Sequence, residues 1–334
     1  MTMEKLKGKE LKVNGTNLYN INDCALGNKH ELCLNKSLLL IIMNAYNKIN
    51  KNKIENIDKM KELNVDEIIN ILNEKFKGMC DKNDSRCWIA KCMDYINDEE
   101  IKFTLEKLTF KPEAPNDSRG WLSTSNINDV MIQFSNFYNK SIENNDKNKQ
   151  LFMYLGAVPN DFDDLKLGIK NLNFDKVYNK YKKIGIIFNT DPHNKSGKHW
   201  ISMYSNLDSG KIYYFDSFGY PPSKEVNVFI NRILKWNNDK NNKNNKNNKN
   251  NKNDKNDENY KNSKNSKNEE SIKGGYKDYV EINKKKIQDG NYHCGLYSIF
   301  FLMGMCLTDD MKKIDKQLND NIMDILLQNA FNFY

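Results

Sequence analysis

The chain has 334 residues, of which 38% are hydrophobic, and this is enough for a buried core and roughly two domains of ~100–200 residues each. Its 52 basic and 44 acidic residues give a formal charge of +8. A solvated lysine-rich surface explains this mild imbalance, so we expect only weak, non-specific contact with nucleic acid. The longest apolar runs fall short of the ~18–20 residues that span a bilayer, so no membrane partner is expected.

The beginning of the chain and its cysteines indicate a reducing compartment. Residues Met1–Glu10 are polar and charged, and no apolar core of a secretory signal follows them. We therefore expect a cytoplasmic protein that is not secreted. The seven cysteines are then free thiols, metal ligands or a nucleophile rather than a disulfide framework.

The first 110 residues form a predicted helical N-terminal region. Apolar residues recur at helical spacing in Leu38–Ile49 and Asp66–Phe76, and Cys80–Ile96 is predicted to add a third helix. The segment Lys111–Asp117 (KPEAPND) is rich in proline and short polar residues, which is typical of a loop. We place the junction with a second domain, residues 111–334, at this loop.

The second domain contains a predicted sheet. Ile184–Phe188, His199–Tyr204 and Lys211–Phe215 have strand-like composition, and the turn Leu207–Gly210 makes the last two a hairpin. A fourth predicted strand, Tyr279–Ile282, comes much later in the chain. A mixture of separate helices and strands indicates an α+β fold.

Helices and an insertion complete this domain. Ser223–Trp236 has helical periodicity, and Cys294–Leu307 is apolar all round, which indicates a buried helix. Between them, Asn237–Ser271 consists mostly of Asn and Lys and has no aliphatic residue, so it is predicted to be a disordered surface insertion. Just behind it, Gly274-Gly275 is either a turn or a site of self-cleavage.

Only four histidines are available as a general base, and His199 is the best placed of them. It begins an apolar strand, and Asp216 ends the strand that follows in the hairpin. Neighbouring strand ends can bring the carboxylate to the imidazole and fix its tautomer. Taken alone, such a pair is more often structural than catalytic.

Cys294 is the candidate nucleophile. It lies where a polar, glycine-containing loop (QDGNYHCGLYS) enters the apolar helix, and the unpaired N–H groups at a helix N-terminus stabilise a thiolate. Gly295 is expected to let a substrate backbone approach closely. Cys306, twelve residues later, lies among apolar neighbours and is expected to belong to the core.

Gln288, six residues before Cys294, is the candidate oxyanion donor, because its side-chain amide can donate an N–H to a developing oxyanion. Taken alone, a glutamine in a loop is usually exposed to solvent.

The order His199-Trp200, Asp216-Ser217, Gln288 and Cys294-Gly295 resembles the cysteine proteases that process SUMO and other ubiquitin-like proteins, a clan that includes the adenovirus protease. Papain-type enzymes have the order Cys then His. Trp121-Leu122 resembles the segment that opens the family's catalytic domain, so the resemblance covers residues 121–334. The stretch Leu155–Asp163 (LGAVPNDFD) is similar to proteases of nucleocytoplasmic large DNA viruses.

The resemblance implies a central mixed sheet flanked by helices, with the nucleophile at a helix N-terminus. It also implies a cysteine endopeptidase in which His199 activates Cys294, Asp216 orients His199 and Gln288 stabilises the oxyanion. Trp200 and Trp121 would line the substrate groove together with Gly295. Family members favour Gly-Gly before the scissile bond, and the viral branch implies polyprotein processing, with location in the virion as well as the cytoplasm.

The chain departs from the family pattern at two places. The Asn/Lys insertion between Asp216 and Gln288 is absent from compact members, and His293 stands where the family usually has Asp or Glu. We expect His293 to flank the groove rather than to replace His199 as the base.

Several alternatives stay open at this point. Deconjugation of a ubiquitin-like modifier uses the same site, and a pseudoprotease would bind such a modifier without cleaving it. Cys80, Cys87 and Cys92, with His30 or Cys33, offer a zinc site, but their spacing lacks a tight C-x₂-C knuckle, which favours free cysteines. The Lys/Asn run lacks the aromatic residues of a nucleic-acid scaffold. We expect a monomer that acts on a protein substrate without a cofactor.

Overall fold

A computed structural model describes residues 12–13, 16–17, 34–82, 84–116, 121–145, 150–250 and 279–332. Gly274-Gly275, His30, Cys33 and the part of the predicted insertion after residue 250 lie outside the described residues. Among the residues that are described, no helix has both the length and the hydropathy needed to cross a membrane.

The N-terminal part is built mainly from short helices, as predicted. Its elements are strands β1 (Lys12–Val13) and β2 (Thr16–Asn17), which pair antiparallel, and helices α1 (Lys36–Ile49), α2 (Val65–Phe76), α3 (Ser85–Cys92) and α4 (Glu99–Phe103). Short segments of 3₁₀ type, Ile57–Glu62 and Met93–Tyr95, lie between these helices, and a π-helical turn, Thr104–Leu108, continues α4.

Side-chain caps explain where these helices begin. The Asn35 side chain accepts the Leu38 N–H at the start of α1, and Asn64 and Glu67 form a reciprocal capping box at the start of α2. Asp84 caps α3, so this helix begins at Ser85 and is shorter than the predicted helix Cys80–Ile96. Such a cap is commonly worth about 1 kcal/mol of helix stability.

The N-terminal helices share one hydrophobic cluster. Its members are buried apolar side chains between Leu34 and Leu105, and Trp88 and Phe76 stack near its centre with their rings 5.9 Å apart. Burial of such side chains contributes roughly 1.5–3 kcal/mol each, which makes this cluster the main source of stability for otherwise short helices. The domain boundary at residues 110–111 stays a prediction.

The second part contains a five-stranded mixed sheet. In spatial order its strands are β3 (Phe152–Val158), β4 (Lys183–Asn189), β5 (Trp200–Asn206), β6 (Lys211–Phe215) and β7 (Val280–Ile282). The pairs β3/β4 and β6/β7 are parallel, whereas β4/β5 and β5/β6 are antiparallel. Strands β4, β6 and β7 agree with the predicted strands to within one residue at each end. Strand β5 ends two residues later than predicted, and β3 was not predicted.

Helices cover both faces of this sheet. They are α5 (Thr124–Asn145), α6 (Phe174–Lys180), α7 (Lys224–Asn250), α8 (Cys294–Thr308), α9 (Met311–Asp315) and α10 (Asp320–Ala330). One hydrophobic core lies between the sheet and helices α5, α8 and α10, and a second lies between the sheet and helices α6 and α7.

Helix α8 occupies the centre of the first core. Its residues from Cys294 to Cys306 are all buried, because α8 packs between β5 on one side and helices α5 and α10 on the others. This position explains its all-round apolar sequence. The α+β fold predicted from the sequence, with the candidate nucleophile at a helix N-terminus and a helical N-terminal region, is confirmed.

Helix α7 extends further than the sequence predicted. It continues past Trp236 to Asn250, so the first residues of the Asn/Lys-rich segment are helical instead of disordered. Asn237 is buried and donates to the Gly210 carbonyl at 3.2 Å. The Lys240 ammonium lies 5.1 Å from the centre of the Trp236 ring. Because the first half of α7 is packed in the core, the helix is already nucleated and each further residue extends it at little cost. This extension and the contacts of Asn237 and Lys240 offset the poor helix propensity of asparagine.

Candidate active site

His199 lies directly before β5, at the end of a loop organised by one amide side chain. Asn189 Oδ1 accepts the backbone N–H groups of Asp191 at 2.9 Å and of Lys198 at 3.3 Å. Gly197 has a φ of +84°, and a Cβ at this residue would lie 2.6 Å from Asn189 Nδ2. The loop therefore requires a glycine here, and it holds the backbone of His199 at the beginning of the central strand β5.

Strand register brings Asp216 to His199. Ser202 pairs with Phe215 across antiparallel β5 and β6, so the start of β5 lies beside the end of β6. His199 Nε2 lies 2.8 Å from Asp216 Oδ1, and the Asp216 side chain is only 2% exposed. Removing one partner of so buried a pair leaves the other charge uncompensated, at a cost of about 3–5 kcal/mol.

Two further residues hold Asp216 in place. The Phe218 N–H donates to Asp216 Oδ1 at 2.7 Å, so that this oxygen accepts two hydrogen bonds. Asn283, which directly follows β7, accepts the Asp216 N–H at 2.7 Å and donates its own amide to the Asp216 carbonyl at 2.6 Å. The carboxylate is therefore fixed both through its side chain and through its backbone.

The same surroundings set the protonation of His199. Burial lowers the pKa of this imidazole, but hydrogen bonds and charge interactions with Asp216 and the Cys294 thiol outweigh burial and raise the pKa to about 9. The Phe218 ring covers one face of the imidazole, with the ring centres 4.9 Å apart. Nδ1 is buried and has no conventional hydrogen-bond partner among the described residues. With Nε2 on Asp216, Nδ1 is the nitrogen that remains for exchange of a proton with the thiol.

Cys294 is the first residue of α8 and is 2% exposed. His293 caps the helix through its carbonyl, which accepts the Tyr297 N–H at 2.9 Å. The remaining N–H groups of the first turn face the region of the Cys294 thiol, and they favour negative charge there. The structure thus brings together three of the four predicted catalytic residues, His199, Asp216 and Cys294.

Gln288, the fourth, is fully buried and its amide has a fixed orientation. Its Nε2 donates to the Gly290 carbonyl at 2.7 Å, and its Oε1 accepts the Ser217 hydroxyl at 2.7 Å. Since a carbonyl can only accept, the amide nitrogen must point to Gly290. Its second N–H has no acceptor among the described residues, which leaves one buried donor for a bound anion.

The two tryptophans predicted for the groove line the same pocket. This pocket has a volume of about 710 Å³ and contains Trp121, Leu122 and Trp200 in its wall. The Trp200 indole N–H donates to the Leu122 carbonyl at 2.9 Å, which fixes the two walls relative to each other. None of the four catalytic candidates lines the pocket itself. It adjoins them because Trp200 follows His199 directly.

Gly295 has a different role from the predicted one. It is buried, and a Cβ at this residue would lie 3.1 Å from Leu122 Cβ. The glycine therefore lets Leu122 pack closely against the first turn of α8, and it does not open a path for substrate. The prediction placed it in the groove because the sequence alone does not show what covers a helix start.

His293 also differs from its prediction. Its side chain points to α10, with Nε2 3.2 Å from Asp324 Oδ1 and Nδ1 3.8 Å from Asp320 Oδ1. Asp320 in turn accepts the Tyr297 hydroxyl at 2.7 Å and the Gly290 N–H at 3.0 Å. His293 therefore supports the loop before the nucleophile and does not flank the groove.

The cysteines of the N-terminal region do not form a metal site among the described residues. Cys80 and Cys87 are joined in a disulfide, which contradicts the expectation of free thiols. The two residues meet because the turn before α3 folds back onto the first turn of the helix. Burial raises the pKa of the Cys92 thiol to about 12, and it also raises the pKa of Cys306, so both behave as core residues.

Three residues near the site were not given a role from the sequence. Ser217 orients Gln288, Asn283 holds Asp216, and Phe218 packs on His199. Ser217 and Phe218 directly follow Asp216, so their position beside the predicted base was a usable signal. Asn283 gave no such signal, because its contact with Asp216 depends on the pairing of β6 with β7.

Comparisons with known proteins agree with this geometry. The family model described as adenovirus endoprotease matches residues 166–250, a segment that includes His199 and Asp216. A protein of Acanthamoeba polyphaga mimivirus that is named as a thiol protease, R355, is 29% identical over 224 residues, or 64% of this chain and 70% of the relative. These matches support the resemblance to adenovirus-type thiol proteases that the sequence predicted.

Solved structures of the same kind align with the chain at lower similarity. The ASFV pS273R protease aligns with a TM-score of 0.48 and 17% identity over 85% of this chain and 93% of its own. The SUMO protease Ulp1, with its catalytic cysteine oxidised to a sulfinic acid, aligns with a TM-score of 0.32 and 15% identity over 63% of this chain and 77% of its own.

Proposed function

We propose that this protein, which is similar to a thiol protease of a large DNA virus and to the adenovirus endoprotease family, is a cysteine endopeptidase that cleaves after Gly-Gly sites in a viral polyprotein. It would act in the cytoplasm of the infected cell or in the virion. The catalytic part of this proposal is supported by the buried His199–Asp216 pair. This pair uses Nε2 of His199 and leaves Nδ1 for the Cys294 thiol at the start of a helix.

In this proposal the proton of the Cys294 thiol has passed to His199 Nδ1 before the substrate binds, and the thiolate attacks the scissile carbonyl carbon. Asp216 stabilises the imidazolium by its hydrogen bond to Nε2. The imidazolium then protonates the leaving amine, which produces a thioester with Cys294. Water, deprotonated by the neutral imidazole, hydrolyses the thioester and restores the thiol.

The oxyanion of each tetrahedral intermediate would be held by two donors. One is the Gln288 Nε2–H that has no partner among the described residues, and the other is the backbone N–H of Cys294. A donor of this kind is worth about 10²–10³ in kcat when it is fixed before the reaction. The buried contacts of Gln288 with Ser217 and Gly290 supply that fixation.

The preference for Gly-Gly rests on the walls beside the nucleophile. Trp121, Leu122 and Trp200 line the pocket, and Leu122 packs against the first turn of α8. Leu122 lies against Gly295, directly after Cys294, so a bulky wall begins beside the nucleophile and would restrict side chains on the substrate residues that pass it. Glycine presents only backbone there, which fits the specificity that the family resemblance implies.

The test compares two substrate classes with one enzyme preparation. Internally quenched peptides containing Gly-Gly-Xaa, and fluorogenic conjugates at the C-terminus of SUMO and ubiquitin, are incubated with the wild type and with Cys294→Ala. We expect the peptides to be cleaved after the second glycine by the wild type only. Preference for a conjugate by more than tenfold in kcat/KM would replace polyprotein processing with deconjugation. Inactivity on both, with an unmodified Cys294 after mild alkylation, would indicate a pseudoprotease.

A further inference from the structure

One acidic side chain in the pocket beside the site has no assigned role. Asp191 lines this pocket together with Trp121 and Trp200, and it is only 9% exposed. Its backbone is held by Asn189, but its carboxylate has no hydrogen-bond or ion-pair partner among the described residues. Neither carboxylate oxygen is among the fully buried atoms that lack a partner, so the group is accessible from the pocket, where a ligand that supplies a cation or a donor can reach it.

The position of Asp191 relates it to a substrate in the site. Asn189 pairs with Trp200 across β4 and β5, and the Thr190 N–H donates to the His199 carbonyl at 2.9 Å. Asp191 therefore lies two residues, or ~7 Å in an extended chain, beyond the residue opposite Trp200. If the substrate runs from Cys294 past Trp200 with Gly-Gly next to the scissile bond, the third or fourth residue before that bond reaches Asp191.

The other charged groups of the pocket wall are already engaged or lie outside it. His193 Nδ1 pairs with Asp161 at 2.5 Å, and Glu113 lies 3.9 Å from Arg86 at an exposed position. Lys195 is exposed at the rim, where water screens its charge. Asp191 is the acidic group of this wall that combines burial with an unpaired carboxylate.

We propose that Asp191 forms a specificity subsite that selects substrates with Lys or Arg at the third or fourth position before the scissile bond. The proposal rests on the proposed function, because it assumes that a peptide chain runs from Cys294 past Trp200. The side-chain cation would bind the Asp191 carboxylate in a partly desolvated pocket, where such a pair is stronger than at the surface.

The experiment uses peptides of the form Xaa-Ala-Gly-Gly-Ala and Ala-Xaa-Gly-Gly-Ala, with Xaa as Lys, Ala or Glu. Turnover is measured with the wild type, and affinity for the same peptides is measured by fluorescence anisotropy with the inactive Cys294→Ala variant. In one of the two positions we expect Lys to exceed Glu by at least tenfold in kcat/KM and in affinity. Asp191→Asn should reduce this ratio to about one, and Asp191→Lys should reverse it.

Lys195→Gln is the matched control within the same loop, and it should leave the ratio within twofold of the wild type. An equal response to Lys and Glu in the wild type, or an unchanged ratio in Asp191→Asn, overturns the subsite. Because anisotropy does not require turnover, an enzyme that binds the Lys peptide through Asp191 but does not cleave it refutes the proposed cleavage and not the subsite.

Discussion

The Ser217 hydroxyl donates a 2.7 Å hydrogen bond to the side-chain carbonyl of Gln288 in the fully buried part of the site. The Ser217 carbonyl also accepts the backbone N–H of Gln288 at 3.1 Å. Since Asp216 precedes Ser217 directly, one turn after β6 orients the proposed general base, His199, through Asp216 and the proposed oxyanion donor, Gln288, through Ser217. The two functions are thus coupled by neighbouring residues.

We expect Ser217→Ala to lower kcat by about 5–30-fold with little change in KM, because the loss of one buried hydrogen bond, at ~1–2 kcal/mol, loosens the donor that acts in the transition state. Steady-state kinetics on a Gly-Gly peptide provides the measurement. A purely structural role for Ser217 would instead lower the unfolding midpoint and leave kcat unchanged.

A double-mutant cycle separates positioning from packing. In the Gln288→Ala background, Ser217→Ala should have almost no further effect on kcat, because the amide that it orients is gone. Additive losses in the double variant would show that Ser217 acts independently of Gln288.

The nucleophile and base are tested by Cys294→Ser and His199→Ala. We expect each to lower kcat by at least ~10³-fold with an unchanged circular dichroism spectrum, because a serine hydroxyl ionises far less readily than a thiol. The neighbouring His293 cannot replace His199, since its ring is turned to Asp320 and Asp324 on α10. Substantial turnover by Cys294→Ser in a preparation free of wild type would contradict the assignment.

The raised pKa of His199 predicts the alkaline limb of the pH profile. The pKa of this imidazole is about 9, against an ordinary value of 6.5, so kcat/KM should stay high to about pH 9 and fall above it as His199 loses its proton. Asp216→Asn removes the main group that raises this pKa and should move the fall toward neutral pH. An NMR titration of His199 in both proteins provides a direct check.

The same shift affects stability with a defined sign. Because the folded-state pKa lies above the unfolded one, the stabilising contribution of His199 is fully present below about pH 6.5 and is lost as the pH rises through about 9. Chemical denaturation of wild type and His199→Gln at pH 6 and pH 10 should show a stability difference that shrinks at the higher pH.

Two deletions test where the Asn/Lys-rich segment stops contributing to the fold. Removal of residues 241–270 should leave the unfolding midpoint and peptide turnover nearly unchanged, because that segment has no aliphatic side chain to bury. Removal of residues 237–270 should lower the midpoint, since Asn237 is buried on Gly210 and Lys240 donates to the Leu207 carbonyl. Equal midpoints for the two deletions would show that these contacts contribute nothing.

The Cys80–Cys87 disulfide should stabilise the N-terminal helices without affecting catalysis. Closure of so short a loop is worth about 2–3 kcal/mol by the chain-entropy estimate, so Cys80→Ser should unfold at lower temperature without reductant. With reductant, the variant and the wild type should have the same midpoint and the same kcat. A change in kcat would indicate that the N-terminal region reaches the active site.

Local patterns were sufficient for most of the sheet and for the proposed catalytic residues. Strands β4, β5 and β6 and helix α8 are apolar runs bounded by turns or polar loops, so neighbouring residues define them. The catalytic set was recognised from four separate motifs and their order along the chain. Its chemical roles are the subject of the variants above.

What the sequence missed depends on distant parts of the chain. Strand β3 pairs in parallel with β4, so no hairpin turn in the sequence indicates the pairing. The two hydrogen bonds between Asn283 and Asp216 join residues 67 positions apart in the chain. The packing of Leu122 on Gly295 likewise joins the two ends of the catalytic part, and no local pattern encodes such a contact.

Those Asn283 bonds also have a consequence for how the enzyme can be divided. The proposed general base His199 and its partner Asp216 precede residues 251–278, whereas Asn283, Gln288 and Cys294 follow them, and β6 and β7 join the two sides in parallel. A chain ending near residue 250 therefore carries one half of the proposed catalytic residues, and a chain beginning near residue 279 carries the other half. We expect the two polypeptides, when co-expressed, to associate through β6 and β7 and to behave as a split enzyme whose reassembly is measured as peptidase activity.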